Sequence, residues 1–118
     1  MLEILRASLE DSETISQCTK EAYSDEIFKF SDKNKVNEYP TPDSVRYDIE
    51  HLIYYKIVLD NNIIGGVFIE EKGAQTAEIG DFCIVSYHQN KGYGKYVLNY
   101  LEHIHSDIKK MGANYTSV

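Results

Sequence analysis

Apolar positions recur along this chain with two periods, and the switches between them mark its elements. Leu2–Ala7 alternates apolar and polar residues, a short strand pattern. Ile15, Cys18 and Ala22 then fall at helical spacing, so a first helix is expected through about Ser24. Two starts compete for it: Ser8 with Asp11 makes a Ser-x-x-acid cap, and Ser12 is the rival. The polar run Asp32-Lys33-Asn34-Lys35 breaks the period, so the segment from Asp25 to Pro40 reads as a loop or irregular helix. Thr41-Pro42-Asp43 opens a second helix with a capping hydroxyl, a proline at the first helical position and an early acid. Val45, Ile49, Leu52 and Ile53 give that helix one apolar face.

Strand character follows in three runs, Tyr55–Asp60, Ile63–Glu71 and Gln75–Val85. Asn61-Asn62 and Lys72-Gly73 are the turn signals between them, and connections this short make an antiparallel meander. Gly65-Gly66 inside the middle run implies a bulge or a close backbone approach. Helical spacing returns with Val97, Leu101, Ile104, Ile108 and Met111, widened by Leu98, for about five turns ended by Gly112. Asn114–Val118 then starts a strand expected to return parallel to Gln75–Val85. The fold class is α/β in the α+β sense, a mixed, mostly antiparallel sheet with flanking helices in the order β-α-α-β-β-β-α-β. Residues 1–118 make one domain, with no internal repeat and no linker.

Composition narrows the function. A net charge of −7 argues against phosphate-backbone binding, so no nucleic-acid partner is expected, and it mildly favours a cationic substrate. No apolar run approaches the roughly 20 residues that cross a membrane, and no signal-peptide pattern opens the chain. Cys18 and Cys83 fall in a helix and a buried strand, which reads as two core thiols in a reducing cytoplasm.

The chemistry concentrates at Gln89-Asn90-Lys91-Gly92-Tyr93-Gly94, between the strand residues Phe82-Cys83-Ile84-Val85 and the long helix. Two glycines there expose backbone N–H groups at the positive end of a helix dipole, a setting that suits a pyrophosphate. A Gly-x-Gly loop by itself often only turns the chain. Its neighbours Ala77-Glu78-Ile79 and Phe82-Cys83-Ile84 add the specificity, because the whole run resembles the acetyl-CoA motif of the GNAT acetyltransferases. The family pattern is Arg or Gln, two residues, Gly, one residue, then Gly or Ala, and every part stands here at the family spacing. The spacing is closest to the histone-acetylating, general-control branch.

That resemblance implies an N-acetyltransferase moving an acetyl group from acetyl-CoA directly to a primary amine, with no metal. The amides of Asn90, Lys91, Gly92, Tyr93, Gly94 and Lys95 would cradle the pyrophosphate, with Gln89 at the loop's first position. Lys91 and Lys95 either add charge there or are plain surface lysines. The backbone of Phe82, Cys83 and Ile84 would run beside the pantetheine, with the Phe82 amide aimed at the thioester oxygen. Glu78 takes the family's catalytic position as general base. Flanking Ala77 and Ile79 would partly desolvate it and raise its proton affinity; the other reading is an exposed carboxylate near the strand's start. Alternation puts Glu78, Phe82 and Ile84 on one face if no bulge intervenes.

The family's fold continues past the last strand with a helix and two more strands. A short chain is expected to act as a homodimer that restores the sheet edge, to be a fragment, or to be a CoA-binding module without catalysis. The acceptor, an amine-bearing small molecule or peptide, is not readable from the sequence. Cys83 lacks a His–Asp set for nucleophilic catalysis, and His88, His103 and His105 make no metal pattern. Gly94-Lys95-Tyr96 lacks the hydroxyl residue of a nucleotide P-loop. Asp81, amid apolar strand residues, is expected to pair with a core hydroxyl.

Overall fold

A computed structural model describes residues 1–30, 40–107 and 110–113. Strand β1 (Leu2–Arg6) leads through a 3₁₀ turn at Leu9–Asp11 into helix α1 (Ser12–Phe30) and then helix α2 (Pro42–His51). Three strands follow, β2 (Ile53–Leu59), β3 (Asn62–Gly73) and β4 (Thr76–Ile84), then helix α3 (Tyr93–Ile104) and strand β5 (Lys110–Ala113). The strands lie in the order β1-β2-β3-β4-β5, antiparallel up to β4 and parallel between β4 and β5. The expected class and element order are those observed.

Both candidate helix starts are used. Ser8 N and Oγ donate to Asp11 Oδ2 (2.8 and 3.0 Å), closing the 3₁₀ turn, and Ser12 Oγ donates to Leu9 O (2.6 Å) as α1 begins. Helix α1 continues to Phe30, so residues 25–30, read as irregular, are helical, while 31–39 lie outside the described residues. At α2 the reciprocal cap is complete: Ser44 N donates to Thr41 Oγ1 (3.1 Å) and Thr41 N to Ser44 Oγ (2.8 Å). That helix stops at His51. Leu52 caps it and Ile53 begins β2, so neither lies on the helical face expected for them.

The hairpin between β2 and β3 turns at Asp60-Asn61, both with positive φ, one residue earlier than the turn signal placed it. The largest correction concerns α3. It ends at Ile104 with His105 as its cap, just over three turns, and Met111 and Gly112 belong to β5. Helical spacing at Met111 is therefore coincidental, and the return strand starts earlier than Asn114. The edge-strand and homodimer expectations for Asn114–Val118 lie outside the described residues.

The sheet separates two apolar layers. Val97 and Leu101 of α3 pack with Ile4, Tyr55, Ile57, Val67 and Ile79 on one face. Ile15 of α1 and Val45 of α2 pack with Tyr54 on the other, beside Cys18, Ala22 and Cys83. Lys56 Nζ pairs with Asp11 Oδ2 at 3.0 Å, tying β2 to the start of α1. Among the strand bonds, the Gly65–Gly66 segment fulfils both expectations for it. The β2–β3 register shifts beside it, and a Cβ at Gly65 would overlap the Cys83 carbonyl. Gly65→Ala should therefore lower the unfolding free energy by about 1–3 kcal/mol in urea titration. An unchanged midpoint would mean that β3 and β4 part there without cost.

Candidate functional site

The loop that enters α3 is built by hydrogen bonds to the strand before it. Val85 N donates to Ile64 O (2.8 Å), keeping the end of β4 tied to β3, and His88 N then donates to Val85 O (2.9 Å) in a tight turn. Gln89 Nε2 donates to Ile84 O at 2.7 Å, so this side chain pins the loop to the strand end. Asn90 (φ 62) and Gly92 (φ 85) adopt left-handed conformations that swing the chain into the helix. A Cβ at Gly92 would meet nothing within 4 Å, so the backbone and not crowding calls for glycine there.

Gly92 caps α3 without a side-chain hydrogen bond, and the first-turn amides of Tyr93, Gly94 and Lys95 have no acceptor within the helix. Such donors at the positive end of a helix dipole suit a phosphate-like anion. Gly94 is buried, while Asn90, Lys91 and Lys95 are not. Lys91 Nζ sits 4.7 Å from the centre of the Tyr87 ring, at the rim of the loop.

Upstream, β4 carries one residue too many for its partner. Gly66 pairs with Cys83 and Phe68 with Gly80, so Asp81 and Phe82 together oppose Val67. Asp81 takes up the bulge with φ 46, a region that Asp tolerates better than most side chains. The extra residue reverses the alternation. Phe82 and Ile84 join Ala77 and Ile79 on the α3 face, and Cys83 turns toward α1. Glu78 is thus on the face opposite Phe82 and Ile84, not with them. β5 pairs with β4 over Thr76–Ile79.

Cys83 is fully buried, with Sγ 3.4 Å from Thr19 Oγ1. Burial pushes its thiol up to about 11 and that of Cys18 up to about 12, so both stay protonated and neither is an effective nucleophile. His103 is exposed and His105 Nε2 hydrogen-bonds with Tyr55 Oη (2.8 Å), so these two helix-end histidines do point apart. Among the described residues no three His, Cys, Asp or Glu side chains are grouped as metal ligands.

Glu78 opens onto a cavity of about 240 Å³ on the α2 side of the sheet, lined also by Phe68, Glu70, Lys72, Gly80 and Asp81. Its side chain is 47% exposed and 3.6 Å from Lys72 Nζ, which also pairs with Glu70 at 3.0 Å. The desolvation expected from Ala77 and Ile79 is therefore slight, because those two residues face the other layer. Asp81 is more buried. Burial raises its proton affinity, and the nearby charge of Asp48 raises it further. The hydrogen bond to a core hydroxyl expected for Asp81 is not made: Tyr54 Oη lies buried without a partner. Sequence reasoning missed Asp48, Tyr54, Glu70 and Lys72. Only the alternation of Phe68, Glu70 and Lys72 along β3 hinted that these three share a face.

The family model described as acetyltransferase (GNAT) family matches residues 15–115. No curated protein matches the chain significantly. Among solved structures, the chain is similar to the PaiA N-acetyltransferase of Thermoplasma acidophilum in complex with coenzyme A. The TM-score is 0.78 at 19% identity, over 90% of this chain and 72% of that one. An acetyltransferase from Thermus thermophilus gives a TM-score of 0.75 at 16% identity, over 96% and 75%. An aminoglycoside acetyltransferase from an uncultured soil sample gives 0.68 at 16% identity, over 100% and 82%.

Asp81 yields a prediction with a defined sign. Its folded-state proton affinity is raised, so its ionised form opposes folding, and stability falls as pH rises through the folded value. Asp81→Asn should raise the melting temperature at pH 7, with a gain that shrinks toward pH 3 where the wild-type carboxyl is protonated. A lower melting temperature at pH 7 would show that the carboxylate is held by a favourable partner.

Proposed function

Because the chain belongs to the GNAT acetyltransferase family, we propose that it transfers an acetyl group from acetyl-CoA directly to a primary amine. The observation that carries this reading is the start of α3: left-handed Gly92 opens a helix with no side-chain cap, leaving its first amides without acceptors in the helix. The pyrophosphate of the cofactor sits on the amides from Asn90 to Lys95, with Gln89 holding the loop in place. Lys91 and Lys95 supply positive charge at its rim. The pantetheine runs beside the backbone of Phe82, Cys83 and Ile84 in the manner of an added strand.

The Phe82 amide donates to the thioester oxygen, where negative charge develops as the amine attacks. Such a donor is worth on the order of 10²–10³ in rate. Glu78 accepts the proton that the ammonium must lose before its nitrogen becomes a nucleophile, through a bound water. Its place across the sheet from Phe82 and Ile84 suits a division of labour, with the cofactor's arm along the strand and the amine entering from the α2 side. The nitrogen forms its bond to the acetyl carbon, the carbon–sulfur bond breaks, and the second proton that the nitrogen loses balances the one taken up by the departing CoA thiolate. The PaiA neighbour was solved with coenzyme A and another neighbour is an aminoglycoside acetyltransferase, which supports an amine as acceptor here.

Two measurements test this reading. Gly92→Asp should abolish CoA binding in calorimetry while the protein stays folded, through added negative charge and a left-handed backbone that Asp enters less readily than glycine. Unchanged affinity would move the pyrophosphate elsewhere. Glu78→Gln should lower turnover by on the order of 10²–10⁴ with CoA affinity nearly unchanged. Wild-type turnover across the pH range would remove Glu78 from the proton transfer.

A further inference from the structure

Tyr87 presents an aromatic ring to solvent beside the pyrophosphate loop. It is 77% exposed, in the 3₁₀ turn Ser86–His88 that leads from β4 into the loop. A lone exposed tyrosine needs no explanation by itself. Two contacts set this one apart. The first is with His88, whose ring it meets edge to face, with centroids 5.0 Å apart and planes at 88°. His88 in turn lies 6.4 Å from the ring of Tyr93, which is partly buried against the core at the first position of α3. The backbone beneath is held as well: His88 N donates to Val85 O (2.9 Å), and Gln89 Nε2 to Ile84 O (2.7 Å). The exposed ring is thus supported from the same elements that place the loop.

Lys91 makes the second contact. Its Nζ lies 4.7 Å from the centre of the Tyr87 ring, within cation–π range. A cation–π contact this exposed adds little to folding, so stability does not account for the pair. What it does is hold an ammonium and an aromatic ring side by side at the loop. Coenzyme A carries the matching groups. Beyond its pyrophosphate it has a flat adenine and, on the ribose, a separate phosphate. An exposed tyrosine ring takes a base by stacking, and a lysine ammonium takes a phosphate as a point charge. A pyrophosphate seated on the amides of Asn90 to Lys95 leaves the adenosine outside the loop, because the pantetheine runs the other way, along β4.

We propose that Tyr87 and Lys91 receive the adenosine end of the cofactor: the adenine stacks on the Tyr87 ring, and the Lys91 ammonium turns to the ribose phosphate. Lys95 then remains the cation of the pyrophosphate. The pair makes the protein select coenzyme A over shorter relatives that lack one or both groups. The inference rests on the acetyl-CoA reading for its ligand. It adds to that reading a residue, Tyr87, that neither the pyrophosphate amides nor the pantetheine strand require.

Calorimetry on the full chain reads the two groups separately with coenzyme A, dephospho-CoA and phosphopantetheine. Dephospho-CoA lacks the ribose phosphate; phosphopantetheine lacks the adenosine and one phosphate of the pyrophosphate. Wild-type affinity should fall severalfold from CoA to dephospho-CoA, and by on the order of tenfold again to phosphopantetheine. Lys91→Met should bring CoA down to the affinity of dephospho-CoA and leave dephospho-CoA within about twofold, a loss that shrinks as salt rises. Tyr87→Leu should weaken CoA and dephospho-CoA by a common factor, on the order of tenfold, and leave phosphopantetheine unchanged. Tyr87→Phe keeps the ring and should retain wild-type affinity. Both positions are exposed, so these variants remove no core packing. Equal binding of CoA and dephospho-CoA to the wild type overturns the proposal. So does a Lys91→Met loss shared equally by dephospho-CoA, or unchanged CoA affinity in Tyr87→Leu. Failure of the wild type to bind any of the three would overturn the acetyl-CoA reading, and the inference with it.

Discussion

The extra residue that β4 carries opposite Val67 decides which side chains meet which helix. A strand without it would continue the alternation of Ala77 and Ile79 and turn Phe82 and Ile84 toward α1. With it, four apolar residues on both sides of the bulge share the α3 layer, and Val97 and Leu101 pack on a continuous surface. The bulge needs a residue that accepts a left-handed backbone, and Asp81 does so at the cost of placing a carboxyl in a poorly solvated recess. Packing on one face and unsatisfied charge on the other thus come from a single residue.

Close contact between β3 and β4 makes that geometry possible. Gly65 lets the Cys83 carbonyl approach, Gly66 admits the Tyr54 ring and Gly80 admits Phe68. Side chains at these positions would push the strands apart or displace the aromatic rings, and the recess beside Asp81 would lose its Phe68 wall. Downstream, the same strand ends in a loop stapled by Gln89 to Ile84, so the open N-terminal end of α3 is fixed relative to the bulge. One strand therefore connects the uncapped helix amides to the carboxylates of the recess.

Much of this was legible in the sequence. Capping residues at Ser8, Ser12 and Thr41 located the helix starts, because a cap is a local interaction with a local signature. The Gln89–Gly94 motif located the loop for the same reason. Helix ends were less legible: Met111 keeps helical spacing yet lies in β5, since the competing strand pairing with Ala77 is long-range. The face of Glu78 could be read only conditionally, because alternation holds only while no residue is inserted; the family resemblance implies a bulge in this strand, but the residue that takes it, Asp81, shows only in the fold. Glu70 and Lys72 of β3 meet Glu78 of β4 only across the folded hairpin, so no spacing rule could collect them.

If the bulge divides the site as proposed, cofactor and amine approach it from opposite faces of β4. Backbone amide chemical-shift mapping by NMR reads this division, first with desulfo-CoA and then with butylamine added. Desulfo-CoA should shift Phe82–Ile84 and Gln89–Lys95, and the amine should then shift Glu70, Glu78 and Asp81 without displacing the first set. Desulfo-CoA shifts centred on the α2-side recess, or on the cavity beside Thr14, Gln17 and Ile63, would contradict it.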